Sequence, residues 1–325
     1  MSQVTYREAI RRALADALAA DPRVLVLGED IGAAGGVFKA TAGLSDEFGS
    51  DRVRDTPISE QAIIGATIGS ALKGLRPVAE LMFADFAAVC FDQIANQMAK
   101  YRYMTGGQVS VPATVRLVNG AGNGFGSQHS QAVENWFLGF PGLIVVTPGC
   151  VADAYGLLRA AIADENPVLY FEHKGLYNIK GELPDSAPAM QLGKASVVRQ
   201  GTDATVVATQ LMRQRVEEAA EVLAADGIDI EVVDPRTLLP LDITTIGASV
   251  DKTNNLVVVQ ESSAAGSWGA TVVASVVTAH FESLDAAPVL LSAPDTPIPY
   301  AGDLEQAWLP STGRITDAIR KLLAR

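Results

Sequence analysis

The chain has 325 residues, a formal net charge of −12, and 48 % hydrophobic against 19 % charged residues. That acidity excludes a protein that grips nucleic acid through its phosphates, and the length suits one large or two medium α/β domains with an ample core. Cys90 and Cys150 lack metal-ligand spacing and read as reduced thiols. With no apolar signal segment at the start and no run of about 18 apolar residues, the expectation is a soluble, cytoplasmic protein that engages neither nucleic acid nor membrane.

Thr5 to Ala20 predicts a helix, with Ala9, Ile10, Ala13, Leu14 and Leu18 at helical spacing behind a capping Thr5. Val24-Leu-Val-Leu27 is a short apolar run of the kind buried on both faces of a parallel sheet, and Gly28 ends it. Glu29-Asp30 then falls in the loop at that strand's carboxyl end, where α/β folds place ligands. The glycines of 32–36 lack both the Walker spacing and a dinucleotide fingerprint, which argues against a phosphate cradle.

Asp55-Thr-Pro-Ile-Ser-Glu60 is the next punctuation. Pro57 pushes Thr56 into an extended conformation and ends a strand or loop, and Ser59 is a candidate cap for the following helix. Glu60 then stands in the first turn, where the helix dipole favours a carboxylate. A carboxylate there either completes the turn or meets a ligand, and spacing alone does not choose. Gly65 and Gly69, four apart, make the helix slim.

Residues 77–83 predict a strand and 84–103 one long helix with Asp92, Asn96 and Lys100 four apart on one face. Met82 and Phe86 read by themselves as core. Residues 111–118 are strand-like and run into the glycine-rich loop 119–126, after which His129 stands between Gln128 and Gln131. A lone histidine is either a surface or satisfied core residue, or one that an active-site loop presents. Residues 143–148, a helix over 153–163 capped by Asp153, and residues 167–171 form a strand–helix–strand unit. The prolines of 181–191 suggest a linker. Beyond it, strands at 204–208, 228–233, 256–259 and 289–291 and a helix at 213–226 predict a second α/β domain.

Gly28-Glu-Asp-Ile31, Asp55 to Glu60 and Gln128-His-Ser-Gln131 together resemble the β subunit of thiamine-diphosphate-dependent 2-oxoacid dehydrogenases, in register from about Thr5 to Leu323. That family includes the pyruvate, branched-chain and acetoin dehydrogenases. The resemblance implies two doubly wound α/β domains: a pyrimidine-binding domain over 1–182, a linker over 183–194, and a transketolase C-terminal-like domain over 195–325. It implies that Glu60 bonds a ring nitrogen of the thiamine aminopyrimidine, with Glu29, Ile58, Met82 and Phe86 around it. It implies that His129 faces the substrate, and that Ala113, Ala161, Asp164 and Asn166 cradle a potassium ion, mostly through backbone carbonyls.

A carboxylate in an apolar, water-poor pocket is the right chemical type for the bond assigned to Glu60. The chain lacks the Gly-Asp-Gly…Asn-Asn motif that holds magnesium and the diphosphate in thiamine enzymes. The resemblance therefore implies an α subunit that supplies that half, in an α2β2 heterotetramer acting on a small 2-oxoacid and acylating the lipoyl domain of an acyltransferase core. Two alternatives stand beside it: a two-chain transketolase-like or acyloin-forming thiamine enzyme, and a non-catalytic scaffold subunit. The chain departs from the family pattern at Ala270-Thr271, where a Glu is usual, and at 116–119, which lack the usual Pro or aromatic residue.

Overall fold

The computed structural model describes residues 2–183 and 190–324. The core of the expected linker, 184–189, lies outside them. The chain divides into two compact units, one running to Asn119 and resuming over Trp136–Leu192, the other made of Gly120–Asn135 and the chain from Gly193 onward.

In the first unit, β1 (Ser2–Thr5) leads into α1 (Tyr6–Ala20), β2 (Val24–Gly28), α2 (Leu44–Phe48), β3 (Val53–Asp55), α3 (Glu60–Leu72) and β4 (Arg76–Leu81). There follow α4 (Tyr101–Met104), β5 (Thr114–Asn119), β6 (Ile144–Val146), α5 (Val151–Ala163), β7 (Val168–His173) and β8 (Lys180–Leu183). The expected cap of α1 is present as a full capping box: Glu8 N–H donates to Thr5 Oγ1, and Thr5 N–H donates to the Glu8 carboxylate at 2.7 Å. The parallel strands lie in the order β6-β7-β5-β4-β2-β3, and β1 pairs antiparallel with β8. Every residue of β5 and β7 is buried, as strands covered on both faces require.

At the sheet's centre Arg116 on β5, fully buried, bonds Glu80 on β4 and holds Glu172 on β7 through two bonds of 2.5 and 2.9 Å. Tyr177 Oη donates to Glu172 as well, at 2.7 Å. Burial pushes the Glu80 carboxyl up, against the opposing pull of Arg116.

Three local expectations are corrected. The stretch 84–103 is not one α-helix: it is a 3₁₀ turn (Ala84–Ala88), a π-helical stretch (Gln93–Met98) and the short α4. Packing of Phe91 against Phe137 and Phe140, with ring centroids 5.3 and 5.4 Å apart, sits between the two irregular segments. The helix read from Asp153 starts at Val151, with Cys150 at the cap position, so Asp153 lies in the first turn. Ser59 occupies the cap position of α3, but its side chain makes no capping bond.

The second unit contains β9 (Ser196–Arg199), β10 (Ala204–Ala208), α6 (Gln210–Ala225), β11 (Ile230–Asp234), β12 (Thr237–Leu239), α7 (Ile243–Thr253) and β13 (Leu256–Val259). It ends with α8 (Trp268–His280), β14 (Val289–Leu291), α9 (Gly302–Trp308) and α10 (Thr312–Leu323). Its sheet runs β14-β13-β10-β11-β9, parallel except for β9. The core joins β10, β11 and β13 to Met212, Val216 and Leu223 of α6 and Ile315, Ile319 and Leu322 of α10. Helices α7 to α10 lie where no helix was expected. Among the described residues no helix is long and apolar enough to cross a membrane.

Candidate active site

The strand register places the first carboxylates. β2 and β3 pair so that Gly28 lies opposite Asp55, and Thr56 N–H donates to Gly28 O at 2.9 Å. Glu29 and the 56–60 stretch therefore leave the sheet side by side at its carboxyl edge, where parallel sheets bind ligands. Asp55 turns back to accept from Gly32 N–H at 2.6 Å. A carboxylate in that glycine loop would repel a phosphate, in keeping with the sequence argument against a cradle.

Glu60 opens α3 and is 8 % exposed, as is Glu29. The two lie within electrostatic reach: burial raises the Glu29 carboxyl first, then the negative charge of Glu60, then that of Asp30. Cys90 belongs to the same neighbourhood. Burial, with the Glu60 charge adding, pushes its thiol up to about 12. Its Sγ lies 3.9 Å from Phe86 O, and the Phe86 ring meets Phe83 edge-on at 5.6 Å. The structure thus brings Glu29, Glu60, Cys90 and Phe86 together. Met82, half-buried like Phe86, follows directly on the end of β4.

Two observations are compatible with a ligand that is apolar on one side and polar on the other. Ile58, two residues before Glu60, is 84 % exposed, and the Thr56 hydroxyl is buried without a hydrogen-bond partner. An aminopyrimidine has that character. Sequence reasoning missed Cys90, whose only signal was its place in an apolar run; Asp30, expected in the loop beyond β2, lies there with a left-handed φ of 54°.

The four residues read as an ion cradle gather around the carboxyl end of α5. Val168 N–H donates to Ala113 O at 2.9 Å, Asp164 N–H to Ala161 O at 3.3 Å, Arg76 to Asp164 O at 3.0 Å, and Arg102 to Asn166 Oδ1 at 2.6 Å. Each oxygen keeps a second lone pair, and a helix C-terminus favours positive charge. The donor set, all carbonyl and amide oxygen, suits a hard cation. Asn166 also lines a largely apolar cavity of about 810 Å³ with Met98, Tyr103, Val111 and Pro167.

His129 belongs to the second unit, half-buried in a turn whose His129 N–H donates to Gly126 O at 3.4 Å. Its loop is fastened there by residues distant in sequence. Ala121 N–H donates to Glu261, Gly124 N–H to Glu305 Oε2 at 2.8 Å, and Ser127 Oγ to Ile298 O at 2.6 Å. At its far end Asn135 bonds Ser262 Oγ at 2.7 Å and accepts from Trp268 N–H at 2.8 Å.

Comparison with known proteins agrees with both units. Residues 2–180 match the transketolase pyrimidine-binding domain, and residues 193–315 the transketolase C-terminal domain. The β subunit of acetoin:2,6-dichlorophenolindophenol oxidoreductase from Cupriavidus necator is 44 % identical over 331 residues, covering 99 % of this chain and 98 % of that one. The mitochondrial pyruvate dehydrogenase E1 component subunit beta-2 of Oryza sativa is 42 % identical, covering 99 % and 87 %. A solved chain described as a split gene transketolase, inactive beta4 tetramer, has the same fold, with a TM-score of 0.80 at 24 % identity over 99 % and 98 % of the two chains. The chain belongs to the β-subunit family of the thiamine-diphosphate-dependent 2-oxoacid dehydrogenases, the pyruvate and acetoin dehydrogenases among them.

Proposed function

We propose that this chain supplies the aminopyrimidine half of a thiamine diphosphate site, and that an α subunit, in an α2β2 assembly, supplies the magnesium and diphosphate half. Bound thiamine diphosphate provides the nucleophilic carbon and the electron sink that decarboxylation of a small 2-oxoacid, or cleavage of acetoin, requires. Glu60 accepts a hydrogen bond from the pyrimidine ring in a pocket where low dielectric strengthens it. Glu29, Ile58, Met82 and Phe86 line that pocket and exclude water. His129 faces the substrate and holds or gives a proton at its oxygen. Ala113, Ala161, Asp164 and Asn166 hold a potassium ion that fixes the end of α5. Acyl transfer to the lipoyl domain of an acyltransferase core completes the turnover of a cytoplasmic enzyme. Along the sequence the domains run over 1–182 and 195–325, joined by a linker over 183–194, with Gly120–Asn135 grouped in the second unit.

The observation that carries this reading is the buried Glu60 carboxylate at the first turn of α3, beside Glu29 and two residues after an exposed Ile58. The test is reduction of an artificial acceptor such as dichlorophenolindophenol by the chain purified with its α subunit, given pyruvate, a branched-chain oxoacid or acetoin. Glu60→Gln should lower turnover by about two to four orders of magnitude. Unchanged turnover in that variant would overturn the role given to Glu60.

A further inference from the structure

The sheet of the second unit reverses its order at β10, with β11 on one side and β13 on the other. In open parallel sheets such a reversal leaves a crevice at the carboxyl ends of the strands, which ordinarily receives a ligand. Here the chain's own loop 120–135 enters it. Ala121 is fully buried in the core, its N–H held by Glu261 just past β13, and Gly122 lies close to Leu211 of α6 and Leu309. Gly122, Gly124 and Gly126 all take positive φ, so the loop's own sequence does little to fix its path.

Glu305 on α9 is the unusual anchor. It is 1 % exposed; Oε2 accepts from Gly124 N–H at 2.8 Å, while Oε1 is buried without a hydrogen-bond partner. A carboxylate held this dry by one bond is poorly compensated for its desolvation. That bond lands five residues before His129. The Glu305 side chain makes no other hydrogen bond among the described residues, so fixing the loop is what its burial accomplishes.

We infer that Glu305 is a positioning residue for His129: it clamps the Gly124 main chain and so sets where the imidazole stands. Glu261 acts alongside it at the loop's entrance. The inference rests on the role proposed above for His129, and a mutant cycle separates the two. In the assembled enzyme, Glu305→Leu removes the acceptor and should lower kcat by up to about a hundredfold, as for a misplaced catalytic group, with KM within twofold. Glu305→Gln keeps an acceptor oxygen and should retain most of the activity. In a His129→Ala background, Glu305→Leu should cost nothing further.

Multiplicative effects of the two substitutions, a loss confined to KM, or wild-type kcat in Glu305→Leu would overturn the inference while leaving His129 in place. Wild-type activity in His129→Ala would overturn both. Should Glu305→Leu not assemble, amide exchange on the isolated full chain decides: Glu305→Ala should speed exchange at Gly124 over wild type while Glu305→Gln keeps most of the protection, and unchanged protection in Glu305→Ala refutes the clamp.

Discussion

Arg116→Met removes the cation bonded to both Glu80 and Glu172 in the centre of the first sheet, along with three charge-assisted hydrogen bonds. Breaking a buried ion pair by deleting one partner costs about 3–5 kcal/mol. The loss is bounded by proton uptake. Relative to an unfolded chain with a Glu pKa of about 4.3, keeping one carboxyl neutral costs about 3.7 kcal/mol at pH 7 and about 1 kcal/mol at pH 5. Burial already holds the Glu80 carboxyl above its unfolded value, and without Arg116 nothing on the other side opposes it. The stability that carboxyl allows is therefore complete below about pH 4 and lost as the pH rises through its folded value. Urea unfolding of the variant, with amide exchange in β5 reporting the first unit by itself, should show a deficit of about 3–5 kcal/mol at pH 7 that shrinks by about 2.5 kcal/mol or more at pH 5. The triple variant Glu80→Gln, Arg116→Met, Glu172→Gln should recover much of the pH 7 deficit. A deficit below about 1 kcal/mol, or one equal at the two pH values, would refute the reasoning.

Thr5→Ala should destabilise the first unit by about 1 kcal/mol, because it opens the capping box of α1; Ser59→Ala, which breaks no capping bond, should move the urea midpoint by no more than a typical surface change. With its thiol at about 12 rather than about 9, Cys90 has about a thousandfold less thiolate at pH 8 than an ordinary cysteine, so iodoacetamide followed by peptide mapping should label it only after unfolding; labelling at a free-thiol rate would contradict its placement. Glu29 has a folded pKa above the unfolded one, so its contribution to stability is present in acid and fades as the pH rises through the folded value. Glu29→Gln should accordingly raise the urea midpoint at pH 7 but not at pH 4, and a stabilisation equal at both would argue against burial and the Glu60 charge as the cause.

Local signals carried much of the first unit. The apolar runs gave β2, β4, β5 and β7, the Thr5 cap gave α1, and Pro57 before Glu60 gave the break between β3 and α3. Periodicity failed at 84–103 for a definable reason. Asp92, Asn96 and Lys100 do link at four-residue spacing, with bonds of 2.7 Å, but the backbone beneath is partly π-helical, with Ala99 N–H donating to Ile94 O. Side-chain spacing cannot report that substitution. Helices α7, α8 and α10 carried start signals that went unread, since Asp242, Ser267 and Ser311 each cap with the side chain. The role assigned to Glu29 and Glu60 came from the resemblance, whereas their positions, past a strand end and in a helix's first turn, were legible. The anchors of the His129 loop were not, since Glu261 and Glu305 lie 140 and 181 residues from their partners and nothing local marks them.

That loop also bears on how such a chain can be recombined. The polypeptide passes between its two units at 119–120, 135–136 and 192–193, so no single cut separates them. A crossover near residue 192 between two relatives would leave Gly120–Asn135 from one parent facing Glu261, Ser262 and Glu305 from the other. Those three segments form one unit of inheritance although they are scattered along the gene. Chimeras that carry the loop with the second unit should keep its fastening, whereas those that split the chain at the apparent linker have to find it again by compatible chance.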